Sequence, residues 1–135
     1  MNPQFVQEIV ALARQIAVYV GYSDLVDGLQ PLAKLQAKCE HEREELYQTY
    51  SYLDAPEADV YAEAADCLYY AACCMHHGDG RAYADVVALF LSLDLDMAKA
   101  QKAALAKYRY RASGPNVKNF DIERELIQLA IEKFS

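Results

Sequence analysis

The chain has no tryptophan, and its 135 residues include only four prolines and five glycines. So few breakers leave little room for a turn-rich architecture. Long apolar runs are also missing. The longest uncharged stretch, Cys67 to Gly78, is too short to span a bilayer, so no membrane partner is expected. Basic charge is scarce, with 13 Lys and Arg against 20 Asp and Glu. The net charge of −7 excludes the basic patch that nucleic acid requires. The opening MNPQFVQEIV has no basic n-region, and Glu8 and Arg14 interrupt its apolar pattern. The expectation is a cytoplasmic protein. Four cysteines (Cys39, Cys67, Cys73 and Cys74) fall inside predicted helices, two of them adjacent, which is not the pattern of a disulfide framework.

What is present is helical. Hydrophobic residues make up 54% of the chain, which excludes a disordered polymer and suits one domain over residues 1–135. Phe5, Ile9, Leu12, Ile16 and Val20 recur at helical spacing, and Gly21 ends that helix. Pro31 is placed to open a second helix running to about Leu53. Asp54 is expected to cap a third, which stops at Gly78-Asp79-Gly80. A fourth covers roughly Ala82 to Leu93 and a fifth Asp96 to Ala112, continuous or kinked near Asp94. Asp121 is expected to cap the last, Ile122 to Phe134. No strand pattern competes. The predicted class is all-α, a four-helix-bundle core with additional helices.

The third helix carries the chemistry. Val60 to Met75 reads VYAEAADCLYYAACCM, with Glu63 and Asp66 its only charges. A helix apolar on nearly every side is buried, and these two acids lie one turn apart on one face. Unpaired buried carboxylates are costly unless something neutralises them. Glu42 and Glu45 repeat the spacing on the preceding helix. A short turn forces the two helices antiparallel. Glu42 and Asp66 are equidistant from Asp54, as are Glu45 and Glu63, so each pair is expected at one height. Glu40, Glu42, Glu44 and Glu45 also read as a solvated acidic face. Glu63 and Asp66 have alternative partners in Lys38, Arg43 or a basic residue of the fifth helix. Four oxygen-donor groups select Mg²⁺, or Mn²⁺, over zinc. Cys73 and His77 share a helix face, but no second Cys/His pair completes a zinc site.

The ordered set Glu42-x-x-Glu45 and Glu63-x-x-Asp66 resembles the signature of the all-α nucleotide pyrophosphohydrolases. That group includes MazG-like enzymes, dimeric dUTPases and phosphoribosyl-ATP pyrophosphatase. Lys38 before Glu42, Leu46 after Glu45 and the segment EAADCLYY extend the similarity over about residues 31 to 112. The resemblance implies a four-helix core, Mg²⁺ dependence, and hydrolysis of a nucleoside triphosphate to the monophosphate and pyrophosphate. It makes Glu42, Glu45, Glu63 and Asp66 metal ligands. One of them, or His41, orients or deprotonates the attacking water. Many members carry a glutamate where this chain has His41.

Phosphate oxygens also need cations, and the fifth helix supplies them in KAQKAALAKYRYR. Lys107 and Arg111 share a face, with Lys38 and Lys102 as further phosphate-binding candidates. The eleven tyrosines include several flanking the acidic hairpin that could stack a base. Housecleaning hydrolysis of nucleotides is the expected activity. A phosphoribosyl-ATP pyrophosphatase-like enzyme and a non-catalytic helical scaffold are the rivals. The apolar excess, and the family resembled, lead to an expected homodimer or homotetramer.

Overall fold

Helix α1 starts where chain chemistry dictates. In the computed structural model, which describes residues 2–52 and 54–133, Asn2 accepts a hydrogen bond from the Gln4 amide at 2.9 Å and Pro3 is the first helical residue. Pro3–Val20 forms α1, and Gly21 ends it at φ 82° with its N–H on the Ala17 carbonyl. The buried stripe is Phe5, Ile9, Val10, Ala13 and Ala17. It is rotated from the expected one: Leu12 and Ile16 are partly buried, and Val20 is 57% exposed.

Five more helices follow: α2 Leu32–Tyr50, α3 Glu57–His76, α4 Arg81–Ser92, α5 Met97–Arg111 and α6 Phe120–Glu132. Among the described residues there is no strand, and only an isolated bridge joins Val26 to Leu29. No helix is long and apolar enough to cross a membrane. The expected ends of the second and sixth helices, Leu53 and Phe134, lie outside the described residues.

Several caps differ from expectation. Pro31 and Pro56 each stand just before their helices with extended ψ of 149° and 145°, so Pro31 caps α2 and Pro56, not Asp54, caps α3. Proline cannot donate, and neither end has a side-chain cap. Asn119 rather than Asp121 caps α6, accepting from the Asp121 and Ile122 amides. Asp121 instead enriches negative charge in the first turn, where the helix dipole favours it. Asp94 at φ 54° separates α4 from α5, and Asp96 caps α5 through the Lys99 amide.

Helix α3 is the centre of the molecule, packed against α1, α2, α4, α5 and α6. Eleven of its residues are buried, among them Ala64, Ala65, Ala71 and Ala72. All four cysteines are buried and free. Burial pushes the Cys39 thiol up to about 11 and the Cys67 and Cys73 thiols higher still, so they behave as small hydrophobes. The loop between α1 and α2 is pinned by Arg14, whose guanidinium reaches Asp27 at 2.9 Å and His76 at 3.3 Å. Gly28, at φ 79°, lies so close to the Arg14 stem that a Cβ there would sit 2.9 Å from it.

Candidate metal centre between α2, α3 and α5

On α3, Glu63 and Asp66 are half-buried acids among the buried middle turns of the helix. On α2, Glu42 meets them. Carboxylate oxygens of Glu42, Glu63 and Asp66 all lie within 4.8 Å of one another. Among the described residues, no other group of three or more His, Cys, Asp or Glu side chains comes together in this way. The hairpin argument placed Glu42 level with Asp66, and these two residues do meet. Glu45 stands outside the group, with Oε1 3.5 Å from His41 Nε2, one turn back on the same helix. It remains near enough for its charge to act on both Glu42 and Glu63.

The electrostatics follow from crowding. Burial, then the charge of Asp66, pushes Glu42 up to about 7, and the same two causes push Glu63 up to about 7. Lys107 opposes both shifts, and Lys38 opposes that of Glu42. The Lys107 ammonium comes from α5, with Nζ 2.7 Å from Asp66 Oδ1 and 3.5 Å from the Ala62 carbonyl. The Tyr108 hydroxyl donates to that same oxygen. The contacts of Lys107 and Tyr108 both fall on one oxygen of Asp66, beside the carboxylates of Glu42 and Glu63. All-oxygen donors of this kind fit a hard divalent cation, which keeps waters beside a few carboxylates. Crowding without a counter-ion thus makes both glutamates hold their protons more tightly than ordinary carboxylates.

The expected phosphate-binding cations are placed unevenly. Lys107 points into the carboxylates. Arg111 turns away to α6, where it makes a two-pronged contact with the buried Glu123 at 3.1 and 3.2 Å. The Glu123 carboxylate raises the affinity of Arg111 for its proton, against the opposing effect of burial. Lys38 is exposed on α2 and Lys102 exposed on α5. His41, 62% exposed at its side chain, sits on the outer edge of the acidic helix. Arg43 is committed to Asp85 of α4 at 3.0 Å.

Sequence reading passed over Tyr108 and Glu123. The adjacency Lys107-Tyr108 was the available signal for the first, since two consecutive α5 residues can straddle a neighbouring helix. For Glu123 the signal was an acid on the inward stripe of α6, in register with Ile127 and Ile131. No family model, curated protein or solved structure matches this chain.

Proposed function

We propose that the protein is a Mg²⁺-dependent nucleoside triphosphate pyrophosphohydrolase, with Mn²⁺ as an alternative ion. One observation carries this reading: three carboxylates from two helices converge within 4.8 Å, with a lysine ammonium beside them. Glu42, Glu63 and Asp66 would hold the ion. When bound, it supplies charge neutralisation for phosphate oxygens and makes water a better nucleophile. The remaining roles belong to the chain itself. Lys107, beside the carboxylates, would hold a phosphate oxygen. Lys38 and Lys102 flank the path of the phosphate chain. Glu45, turned by His41, accepts the proton of the attacking water. Arg111 acts from a distance, fixing α5 against α6 through Glu123. The all-helical character of the described residues is compatible with the all-α class that the resemblance implies.

Self-association as a dimer or tetramer belongs to the same proposal. Val18, Val20, Leu91, Phe120 and Leu129 are large apolar side chains more than half exposed, which suits burial against another copy. Sedimentation as a strict monomer would remove this part.

The test is a panel of nucleoside tri- and diphosphates with Mg²⁺ or Mn²⁺, scored for pyrophosphate against orthophosphate. Pyrophosphate release that vanishes in Glu63→Gln and Asp66→Asn is the expected result. Activity surviving both changes sinks the reading. The Lys107–Asp66 ion pair favours one rival, a metal-free helical scaffold in which Lys107 is the permanent counterion. A melting curve that Mg²⁺ and triphosphates leave unmoved would select that rival.

A further inference from the structure

A cavity of about 490 Å³ lies between α1, α3 and the segment joining α5 to α6. Its volume is typical of sites for small organic ligands. Ala13, Ala17, Leu29, Tyr69 and Tyr108, all buried, form its inner wall. Tyr19 and Tyr22, each 38% exposed, stand at its mouth with Asn116 and Lys118. Two relationships distinguish it from a packing defect. First, Tyr108 belongs to both the cavity and the carboxylate cluster: its ring stacks on Tyr69 with centroids 3.8 Å apart while its hydroxyl donates to Asp66. Tyr70, also in the wall, feels the charges of Asp66 and Glu42. Second, among the described residues the side-chain amides of Gln30 and Asn116 and the Lys118 ammonium have no hydrogen-bond or ion-pair partner. Each amide offers a donor and an acceptor side by side.

We propose that this cavity seats a planar heteroaromatic ring, with Tyr108 as the wall it shares with the carboxylates. Aromatic walls favour a flat ring over a branched aliphatic chain. The amides of Gln30 and Asn116 match the alternating donors and acceptors along a heterocycle's edge. The exposed mouth leaves the ring's substituent free to lead out of the cavity. Taken with the pyrophosphohydrolase reading, on which this identification rests, the ring is the base of the nucleotide. Tyr108 is then a positioning residue: a ring lodged in the cavity constrains the tyrosine that orients Asp66.

The test uses adenosine, guanosine, cytidine and uridine, without phosphate or metal, followed by calorimetry and tyrosine fluorescence. At least one binds, with Kd near or below about 1 mM. Ala17→Phe fills the cavity and weakens that binding by about tenfold or more. Because Ala17 is buried, Asn116→Gly at the exposed mouth provides a second variant: it removes the amide at a position with φ 59°, which glycine tolerates, and weakens binding severalfold with the helical circular dichroism intact. Tyr108→Phe lowers kcat for the triphosphate more than it changes KM. Failure of all four nucleosides to bind at millimolar concentration overturns the cavity proposal even where pyrophosphate is released. Unchanged binding in Asn116→Gly together with a folded Ala17→Phe overturns it too. Nucleoside binding with no hydrolysis of any nucleotide supports the cavity and removes the pyrophosphohydrolase reading instead.

Discussion

Lys107 and Asp66 form the most enclosed ion pair joining α5 to the central helix, with side chains 7% and 13% exposed and 2.7 Å between Nζ and Oδ1. A pair so enclosed contributes little net stability, yet removing one partner strands the other's charge. This asymmetry makes it a sensitive place to probe the carboxylate cluster.

Lys107→Met is expected to destabilise the metal-free protein by about 3 kcal/mol. Millimolar Mn²⁺ should restore most of the loss, because a cation can take over neutralisation of Asp66. Denaturant titration with and without Mn²⁺ measures both numbers. A loss that Mn²⁺ leaves untouched would show that these acids take no cation.

The glutamates should trade stability for function. Each has a pKa raised to about 7 in the fold, against an ordinary value of 4.5. Between those values the native state holds more protons than the unfolded chain, so their contribution to stability falls as pH rises through that window. Glu42→Gln and Glu63→Gln remove the repulsion. At pH 8 without metal, each is expected to raise Tm by roughly 3–6 °C while abolishing pyrophosphate release. A lowered Tm in both would mean that the carboxylates are not in conflict.

Metal affinity should depend on pH through the same groups. Binding requires the ionised carboxylates, so the ion displaces protons from Glu42 and Glu63. The Kd for Mn²⁺ is expected to fall by about tenfold or more from pH 6 to pH 8 and to level off above. Calorimetry in buffers of different ionisation enthalpy reads the protons released. An affinity flat across this range excludes both glutamates as ligands.

Glu123→Gln should act on the fold rather than the chemistry. It weakens the two-pronged hold on Arg111 and leaves a guanidinium largely enclosed, at an expected cost of about 3 kcal/mol. Thermal melting and a denaturant midpoint check this. Full activity per folded molecule should remain. A change in KM with no change in stability would instead assign Arg111 to the substrate.

Much of this arrangement was legible in the chain. The isolated acids Glu63 and Asp66 on an apolar helix, and their distance from the turn, brought Glu42 to the right place. Glu45 was not separable from Glu42 by spacing, because one turn of helix also carries a side chain around the axis, and the His41 contact decides its orientation. Lys107 and Arg111 share a helical face in sequence terms, yet they serve different neighbours, since α6 arrives from a segment too remote for local periodicity to place. The difference in the cap of α3 has a local cause: Pro56 holds extended backbone directly before the helix, which overrides the capping preference of Asp54.

Helix α3 touches every other helix of the fold. Its acids consequently ride on the part of the molecule least able to yield, while the tyrosines at the mouth, Tyr19 and Tyr22, belong to its margin. Variation among descendants of such a chain has an obvious direction. Under the proposed function, the acids are fixed in the axle, while the margin of the cavity has more freedom to change.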